Sequence, residues 1–181
     1  MPQLVALSLS IAVLGGIWAF IALKLGFLVW AGFIAWGCFF HSGGDQKALI
    51  KTICGNVYGV IVAWIALLII FKAGVGDMGL VAICIVVAVT VFFLVIVASI
   101  DQLSVVPANV YGYAATVAWA LSAPSAAGAT PDVAGTGPLQ SLVSPSLGNP
   151  LVALIVSMVI GAIAGYVSGL AAGALGKKAA A

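Results

Sequence analysis

Apolar residues run through this sequence in six segments that are separated by short polar breaks. Four of the segments are long enough to cross a bilayer as helices, which takes about 20 residues. These four are Leu4–Leu23, Leu49–Phe71, Gly79–Ile100 and Pro150–Leu175. Two more, Gly26–Phe40 and Leu103–Leu121, are shorter and richer in aromatic residues. The pattern predicts an all-α polytopic membrane protein of about six transmembrane helices, forming a single domain over 1–181.

Glycine, proline and a few charged residues mark the breaks between these segments. The run HSGGD follows the first short segment, and its two glycines permit a tight turn. Asp45 then stands where it can cap a helix that begins near Lys47. The longest break, 122–150, is rich in Pro, Gly, Ser and Ala, which is typical of an irregular loop outside the membrane.

The lysines sort onto two sides if all six segments cross. One side holds Lys47, Lys51, Lys177 and Lys178, and the other holds Lys24 and Lys72 with Asp77 and Asp132. The positive-inside rule then predicts cytoplasmic N- and C-termini and places the 122–150 loop outside. A five-span alternative, in which Gly26–Phe40 dips in and out of one face, puts the termini on opposite sides and sorts the lysines less well.

The first three segments and the last three follow the same order. Each set has a long segment, then a short aromatic one, then another long one. The halves are 1–72 and 79–175, and Trp30–Phe40 can be laid over Pro107–Val117 because both mix bulky aromatic residues with small ones. Two halves of three spans each have opposite topology, so the pattern predicts a 3+3 inverted repeat. Chance self-similarity of a Gly- and Ala-rich membrane protein is the alternative.

Small residues recur every four positions in the last long segment of each half. Residues four apart share a helix face, and small ones let two helix backbones approach closely. The predicted helix-packing residues are Gly55, Gly59, Gly161, Gly165 and Gly169. The spacing leaves open whether these faces pack within one chain or against a second copy in a homo-oligomer.

Composition narrows the class further. The chain is 65% hydrophobic and 6% charged, whereas soluble domains carry about 25% charged residues, so lipid is the solvent that suits it. The net charge of +2 is dispersed and does not predict nucleic-acid binding. The three cysteines have no metal-ligand spacing, and no catalytic motif is present, so we expect no metal, no cofactor and no enzymatic activity.

The two short segments are candidates for lining a path through the protein. The fifteen residues of Gly26–Phe40 reach about 22 Å as a helix, against a hydrocarbon core of about 30 Å. This favours short elements that longer neighbouring helices separate from lipid. Their rings and polar groups can narrow such a path and hydrogen-bond a neutral solute. The candidates are Trp30, Phe33, Trp36, Asn109, Tyr113 and Thr116. Internal packing, or anchoring at the membrane interface, is the alternative for the aromatic ones.

No Asp, Glu or Arg occurs within a predicted span, and the single histidine, His41, stands at a segment end. Proton-coupled and ion-coupled transporters commonly keep an ionisable group at membrane depth. We therefore expect a passive channel or facilitator for a small, mostly neutral solute such as urea, an amide or a short alcohol. The alternatives are a non-transporting structural or accessory membrane subunit and, third, an ion-coupled small-solute transporter.

The aromatic segments resemble a family of small bacterial inner-membrane proteins known as domain of unknown function 1097, the YcdZ type. The resemblance is carried by GIWAFIALKLGFLVWAGFIA near the start, VPANVYGYAATVA in the second half and GAIAGY in the last segment. It implies a compact helical fold in the bacterial inner membrane. The 122–150 loop is longer than this family's pattern, and the resemblance implies no substrate.

Overall fold

A computed structural model of the protein describes residues 1–121, 139 and 141–176. Within these residues the chain forms six α-helices: α1 (Gln3–Leu25), α2 (Val29–His41), α3 (Gln46–Phe71), α4 (Leu80–Ile96), α5 (Val106–Leu121) and α6 (Pro150–Leu175). Short 3₁₀ turns lie at Val75–Met78, Val97–Ser99 and Asp101–Leu103. The predicted all-α membrane architecture is confirmed.

Four segments are long and apolar enough to span a bilayer, and the two short ones are helices as predicted. The four are Gln3–Leu25, Gln46–Phe71, Leu80–Ser99 and Pro150–Leu175. The short helices α2 and α5 have 13 and 16 residues. At 1.5 Å per residue they reach about 20 and 24 Å, less than the hydrocarbon thickness of about 30 Å.

Local signals explain several helix boundaries. The Asp45 carboxylate accepts a hydrogen bond of 2.7 Å from the backbone N–H of Ala48, so the predicted cap of α3 is confirmed. Asn149 caps α6 in the same way by accepting from Leu151 N–H, and Pro150 follows in the first turn, where its missing N–H costs little. Gly26, in the left-handed conformation at φ 77°, ends α1.

The packing of α1–α3 is repeated by α4–α6. In each half the short helix packs mainly on the last helix of the other half, so α2 lies on α6 and α5 lies on α3. In the same way, α1 packs on α6 and α4 packs on α3, while α3 and α6 meet at the centre. Helix α4 begins 77 residues after α1 (Leu80 against Gln3), and α5 begins 77 residues after α2 (Val106 against Val29).

The contacts also show that the two halves run in opposite directions. Gly32 of α2 meets Gly161 of α6 and Trp36 meets Ser168, so these two helices are parallel. Gly55 of α3 meets Ala108 of α5, and Leu67 clusters with Ala120, so α3 and α5 are parallel as well. Because α2 and α3 are joined by a tight turn and run in opposite directions, the two pairs oppose each other. This is the geometry of a 3+3 inverted repeat.

Residues at the two ends of the bundle follow from these directions. An added Cβ on Gly176 would meet the side chain of Gln3, so the start of α1 and the end of α6 lie at one end, together with His41 and Lys51. We call this the termini end. Lys24 and Lys72 lie at the other end. The lysines and the aspartate predicted beyond these, Lys177, Lys178 and Asp132, lie outside the described residues.

Part of the predicted 122–150 loop is described, namely residue 139 and residues 141–149. This part packs against the bundle at the end opposite the termini. Leu142 is fully buried in a cluster with Leu67 and Ala120, and its carbonyl oxygen accepts a 2.8 Å hydrogen bond from Trp64 Nε1. The segment therefore covers the ends of α3 and α5.

Candidate functional site

Glycines make the closest helix contacts at the centre of the repeat. An added Cβ on Gly59 would overlap the carbonyl oxygen of Asn109, and one on Gly161 would overlap the carbonyl oxygen of Gly32. Gly55 and Gly165 also lie within tight contact distance of α5 and α2, respectively, whereas a Cβ on Gly169 would make only an ordinary 3.9 Å contact with Phe39. The two crossings are equivalent, because Gly161 follows Gly59 by 102 residues and Asn109 follows Gly32 by 77.

The candidate pathway residues on α2 lie against α6 and on the outer surface. Trp36 is 3% exposed, and its Nε1 donates a 3.0 Å hydrogen bond to Ser168 Oγ. Phe33 stacks on Trp36 with ring centroids 5.7 Å apart, but 42% of its surface is exposed. Trp30 is also exposed. Phe33 lies beside Gly15 of α1, and Trp36 lies on α6.

The candidates on α5 face α3 and α4. Tyr113 packs with Val62 and Leu94, and its hydroxyl lies 3.0 Å from Thr90 Oγ1. Thr116 is fully buried and donates to the carbonyl oxygen of Gly112 in its own helix.

Asn109 Nδ2 donates to the carbonyl oxygens of Leu94 and Leu103, at 3.2 and 3.1 Å. Leu94 lies in the last turn of α4, where carbonyl groups lack helical partners. Asn109 therefore holds the irregular connection between α4 and α5.

The structure does not bring these six residues together around one space. Trp36 belongs to a cluster with Trp18 and Ala22, whereas Tyr113 belongs to a separate cluster on the α4 side. The inverted repeat explains the separation, since α2 and α5 each pack on the opposite half rather than mainly on each other. Their roles as lining residues stay predictions.

A different set of uncharged polar residues enters the bundle from the termini end. Thr52 of α3 is fully buried, and its hydroxyl donates to Ser42 Oγ, 3.2 Å away. The Ser42 hydroxyl donates in turn to the carbonyl oxygen of Cys38. Asn56 follows Thr52 by one helical turn on the same face of α3. We call Ser42, Thr52 and Asn56 the polar line.

Asn56 is the innermost member of the polar line and has no hydrogen-bond partner for its side chain. It is 1% exposed, and both Nδ2 and Oδ1 are buried without a partner among the described residues. The residue lies ten positions after Gln46, about 15 Å along α3 and near the middle of that helix. Its backbone is in tight contact with Gly112 of α5, which has no side chain to interpose.

Beyond Asn56, the same face of α3 enters an apolar cluster that α2, α3, α5 and α6 build together. Val60, one turn further along α3, packs in this cluster with fully buried Met158, Leu154 and Leu28. The counterparts of Thr52 and Asn56 at the 102-residue offset are Leu154 and Met158. The polar line of one half therefore meets apolar residues of the other. We call Leu28, Val60, Leu154 and Met158 the closing cluster.

His41 and Tyr111 join the two short helices at the termini end. His41 Nδ1 lies 3.0 Å from the Tyr111 hydroxyl, and the two rings are tilted at a centroid distance of 6.1 Å. His41 is exposed and Tyr111 is half-buried. The pair therefore stands at the surface from which the polar line runs inward.

The charged groups of the described residues lie at the ends of the bundle. Lys51 Nζ is 2.8 Å from Asp101 Oδ1 and 3.0 Å from Ser104 Oγ, which ties the first turns of α3 to the connection before α5. The hydrogen bond and the positive charge of Lys51 lower the pKa of the Asp101 carboxyl group below its usual value. Between Lys51 and the end of α3 at Phe71, no charged residue occurs. In the described part of the chain, no group of His, Cys, Asp or Glu is placed to hold a metal ion.

Thr52 and Asn56 were not among the predicted site residues. Polar candidates were sought in the short segments, and the long segments were treated as apolar. The signal was present, since two polar side chains spaced four apart interrupt the apolar run Leu49–Phe71. Such a pair shares one helix face and implies that this face is turned away from lipid.

These features define a polytopic helical membrane protein built as an inverted repeat, with an uncharged polar line entering from one end. The chain belongs to the family described as "Protein of unknown function (DUF1097)", whose model matches residues 8–173. Searches of curated proteins and of solved structures found no match to the chain.

Proposed function

We propose that the protein is a passive channel or facilitator for a small, mostly neutral solute such as urea, an amide or a short alcohol. The observation that carries the proposal is the polar line, which runs from the termini end to an unpartnered amide near the middle of α3. Buried polar groups in a membrane protein are costly, and they commonly mark a path for something polar. Their neutrality favours a neutral solute, because nothing on the polar line would balance a charge.

The inverted repeat supports the same proposal. In many transporters, a substrate site near the middle of the bilayer lies where two inverted halves meet. Here α3 and α6 meet at the centre, and Asn56 and its counterpart Met158 both lie at that level. The closing cluster separates Asn56 from the far end, so passage requires the side chains of this cluster to move.

The location we propose is the bacterial inner membrane, with both termini in the cytoplasm. The four apolar spans support a membrane location, and the lysines at the termini end support a cytoplasmic orientation for that end. The polar line would then open toward the cytoplasm, and the segment 141–149 would lie on the outer side.

Solute flux into proteoliposomes tests the proposal directly. Vesicles with purified protein are mixed rapidly with urea, acetamide, glycerol or methanol, and the swelling rate is followed by light scattering. We expect faster swelling than in empty vesicles for at least one of these solutes, with no increase in potassium leakage. Swelling at the rate of empty vesicles across the whole panel would overturn the proposal.

A structural or accessory membrane subunit is the second candidate function. Gly16 of α1 and Gly37 of α2 are exposed, and a Cβ added to either would meet no atom of the described residues within 4 Å. Small residues on a lipid-facing surface permit a second helix, from another protein or from a second copy, to approach closely. Loss of a stoichiometric partner on Gly37→Leu, with the fold retained, would favour this function over transport.

A further inference from the structure

We propose that the Asn56 side chain is the solute-binding site, and that it selects small neutral molecules which donate and accept hydrogen bonds side by side, namely primary carboxamides and urea. This inference rests on the proposed function and names its substrate class.

The unpaired amide of Asn56 is energetically costly. A buried polar atom without a hydrogen bond destabilises a fold, and native proteins satisfy nearly all of them. Within the described residues, Asn56 leaves both its donor and its acceptor unpaired at 1% exposure.

Asn109, the other fully buried asparagine, differs from Asn56 in its hydrogen bonds. Asn109 Nδ2 donates to two backbone carbonyl oxygens that the end of α4 and the following turn leave without helical partners. Asn109 Oδ1 is also buried without a partner among the described residues, but the two bonds from Nδ2 give Asn109 a structural role. Asn56 makes no such bond within the described residues, so its amide is explained by a ligand better than by support of the backbone.

Asn56 is the last polar residue before the closing cluster, one turn beyond the Thr52 hydroxyl. The Thr52 hydroxyl donates to Ser42 and keeps lone pairs that can accept a further hydrogen bond. A solute that enters from the termini end therefore meets acceptors on Thr52 and then the two-sided amide of Asn56.

The hydrogen-bonding groups of the Asn56 side chain are complementary to those of a primary amide or urea. A primary amide or urea presents an N–H beside a C=O, so it can donate to Asn56 Oδ1 and accept from Asn56 Nδ2 in one planar, two-bond pair. A monohydric alcohol offers a single oxygen, which cannot span both amide atoms with good geometry. Ions are disfavoured, because a buried charge needs a partner of opposite sign and the polar line has none.

The experiment uses the fact that the sequence contains three asparagines, Asn56, Asn109 and Asn149. Protein labelled with ¹⁵N only in asparagine side chains, in nanodiscs, gives three NH₂ signals that single substitutions assign. On titration with acetamide, we expect a saturable shift of the Asn56 signal, while the Asn109 and Asn149 signals stay in place. An Asn56 signal that does not move, or that drifts linearly together with the other two, overturns the inference. An Asn56 signal that exchanges with water but ignores acetamide also overturns it.

Flux measurements on two variants complete the test. Asn56→Leu removes both hydrogen-bonding atoms while keeping a side chain branched at Cγ, and Asn56→Gln keeps the amide. We expect the ratio of acetamide to methanol permeability to fall on the order of tenfold in Asn56→Leu and to be largely kept in Asn56→Gln. An unchanged ratio in a folded Asn56→Leu protein overturns the inference.

The two proposals fail in distinguishable ways. If wild-type vesicles conduct acetamide while the Asn56 signal ignores it, the binding inference is wrong and the proposed function stands. If the Asn56 signal saturates with acetamide while no solute crosses, the binding site stands and the proposed transport function is wrong.

Discussion

His41 Nδ1 and the Tyr111 hydroxyl oxygen lie 3.0 Å apart and connect α2 to α5 at the termini end. The two helices occupy equivalent places in the two halves, and each packs mainly on the opposite half. This hydrogen bond therefore links the two short helices directly across the interface between the two halves of the repeat.

Removing either partner of this bond is expected to loosen the termini end. His41→Ala and Tyr111→Phe should each lower the free energy of unfolding, with a coupling energy between them of about 0.5–1.5 kcal/mol. The exposure of His41 favours the lower part of that range. A double-mutant cycle by SDS titration in mixed micelles measures it. Additive effects of the two substitutions would show that the bond contributes nothing.

The helix crossing at Gly59 provides a second prediction. A Cβ on Gly59 would overlap the carbonyl oxygen of Asn109, which belongs to backbone and cannot rotate away. Gly59→Ala should therefore destabilise the protein by about 1–3 kcal/mol. Gly37→Ala is the matched control, because its Cβ meets no atom within 4 Å, and it should stabilise α2 by about 0.5–1 kcal/mol. Equal effects of the two substitutions would contradict the close approach of α3 and α5.

The closing cluster provides a third prediction, this time on flux. Met158 is fully buried beside Val60 and Leu154, and Met158→Ala would open space in the cluster that lies beyond Asn56. We expect faster solute permeation through the variant, together with a loss of stability of about 2–5 kcal/mol. Met78→Ala, which changes an exposed methionine in the turn after α3, should leave flux unchanged. A folded Met158→Ala protein with wild-type permeability would show that this cluster is not the barrier.

The ion pair between Lys51 and Asp101 provides a prediction for pH. Lys51 lowers the pKa of Asp101 in the folded protein, so the pair stabilises the fold above the unfolded-state pKa of about 3.9 and is lost as pH falls through the lower folded value. The difference in thermal stability between wild type and Asp101→Asn should be constant from about pH 5 to 7 and vanish at lower pH.

High salt should also reduce that difference, because 79% of the Asp101 side chain is exposed. Asp77→Asn is the control, since Asp77 forms no ion pair in the described part of the chain. A stability difference for Asp101→Asn that persists below the pKa of Asp101 would exclude the ion pair as its cause.

The sequence predicted the order of long and short helices, the cap at Asp45 and the two-half arrangement, because each follows from local patterns. Length and hydropathy identify spans, and a side chain three residues before an N–H decides a cap. Such local patterns do not show which helix each helix face packs against. Trp36 and Tyr113 occupy matching places in the two halves, but which neighbour each meets depends on how the halves dock.

Asn56 could not be predicted as a site residue for the same reason, because local patterns do not show packing contacts. Its type and its four-residue spacing from Thr52 are visible in the sequence, but the missing hydrogen-bond partners are a property of the packed bundle. Gly112 brings α5 against the Asn56 backbone, and Met158 of the other half lies in the cluster beyond it. Neither the approach of Gly112 nor the position of Met158 follows from the residues near Asn56 in the chain.

The polar line extends from one end of the bundle only as far as Asn56, and this one-sidedness has a kinetic consequence. Detailed balance requires a passive route to give dilute neutral solute the same permeability in both directions, whatever its internal asymmetry. Solute reaches the site through polar residues from one side of the membrane and through a hydrophobic barrier from the other. The solute concentration that half-fills the site therefore differs between the two sides. The half-saturating concentrations for inward and outward flow should therefore differ, and the maximal rates should differ in the same proportion.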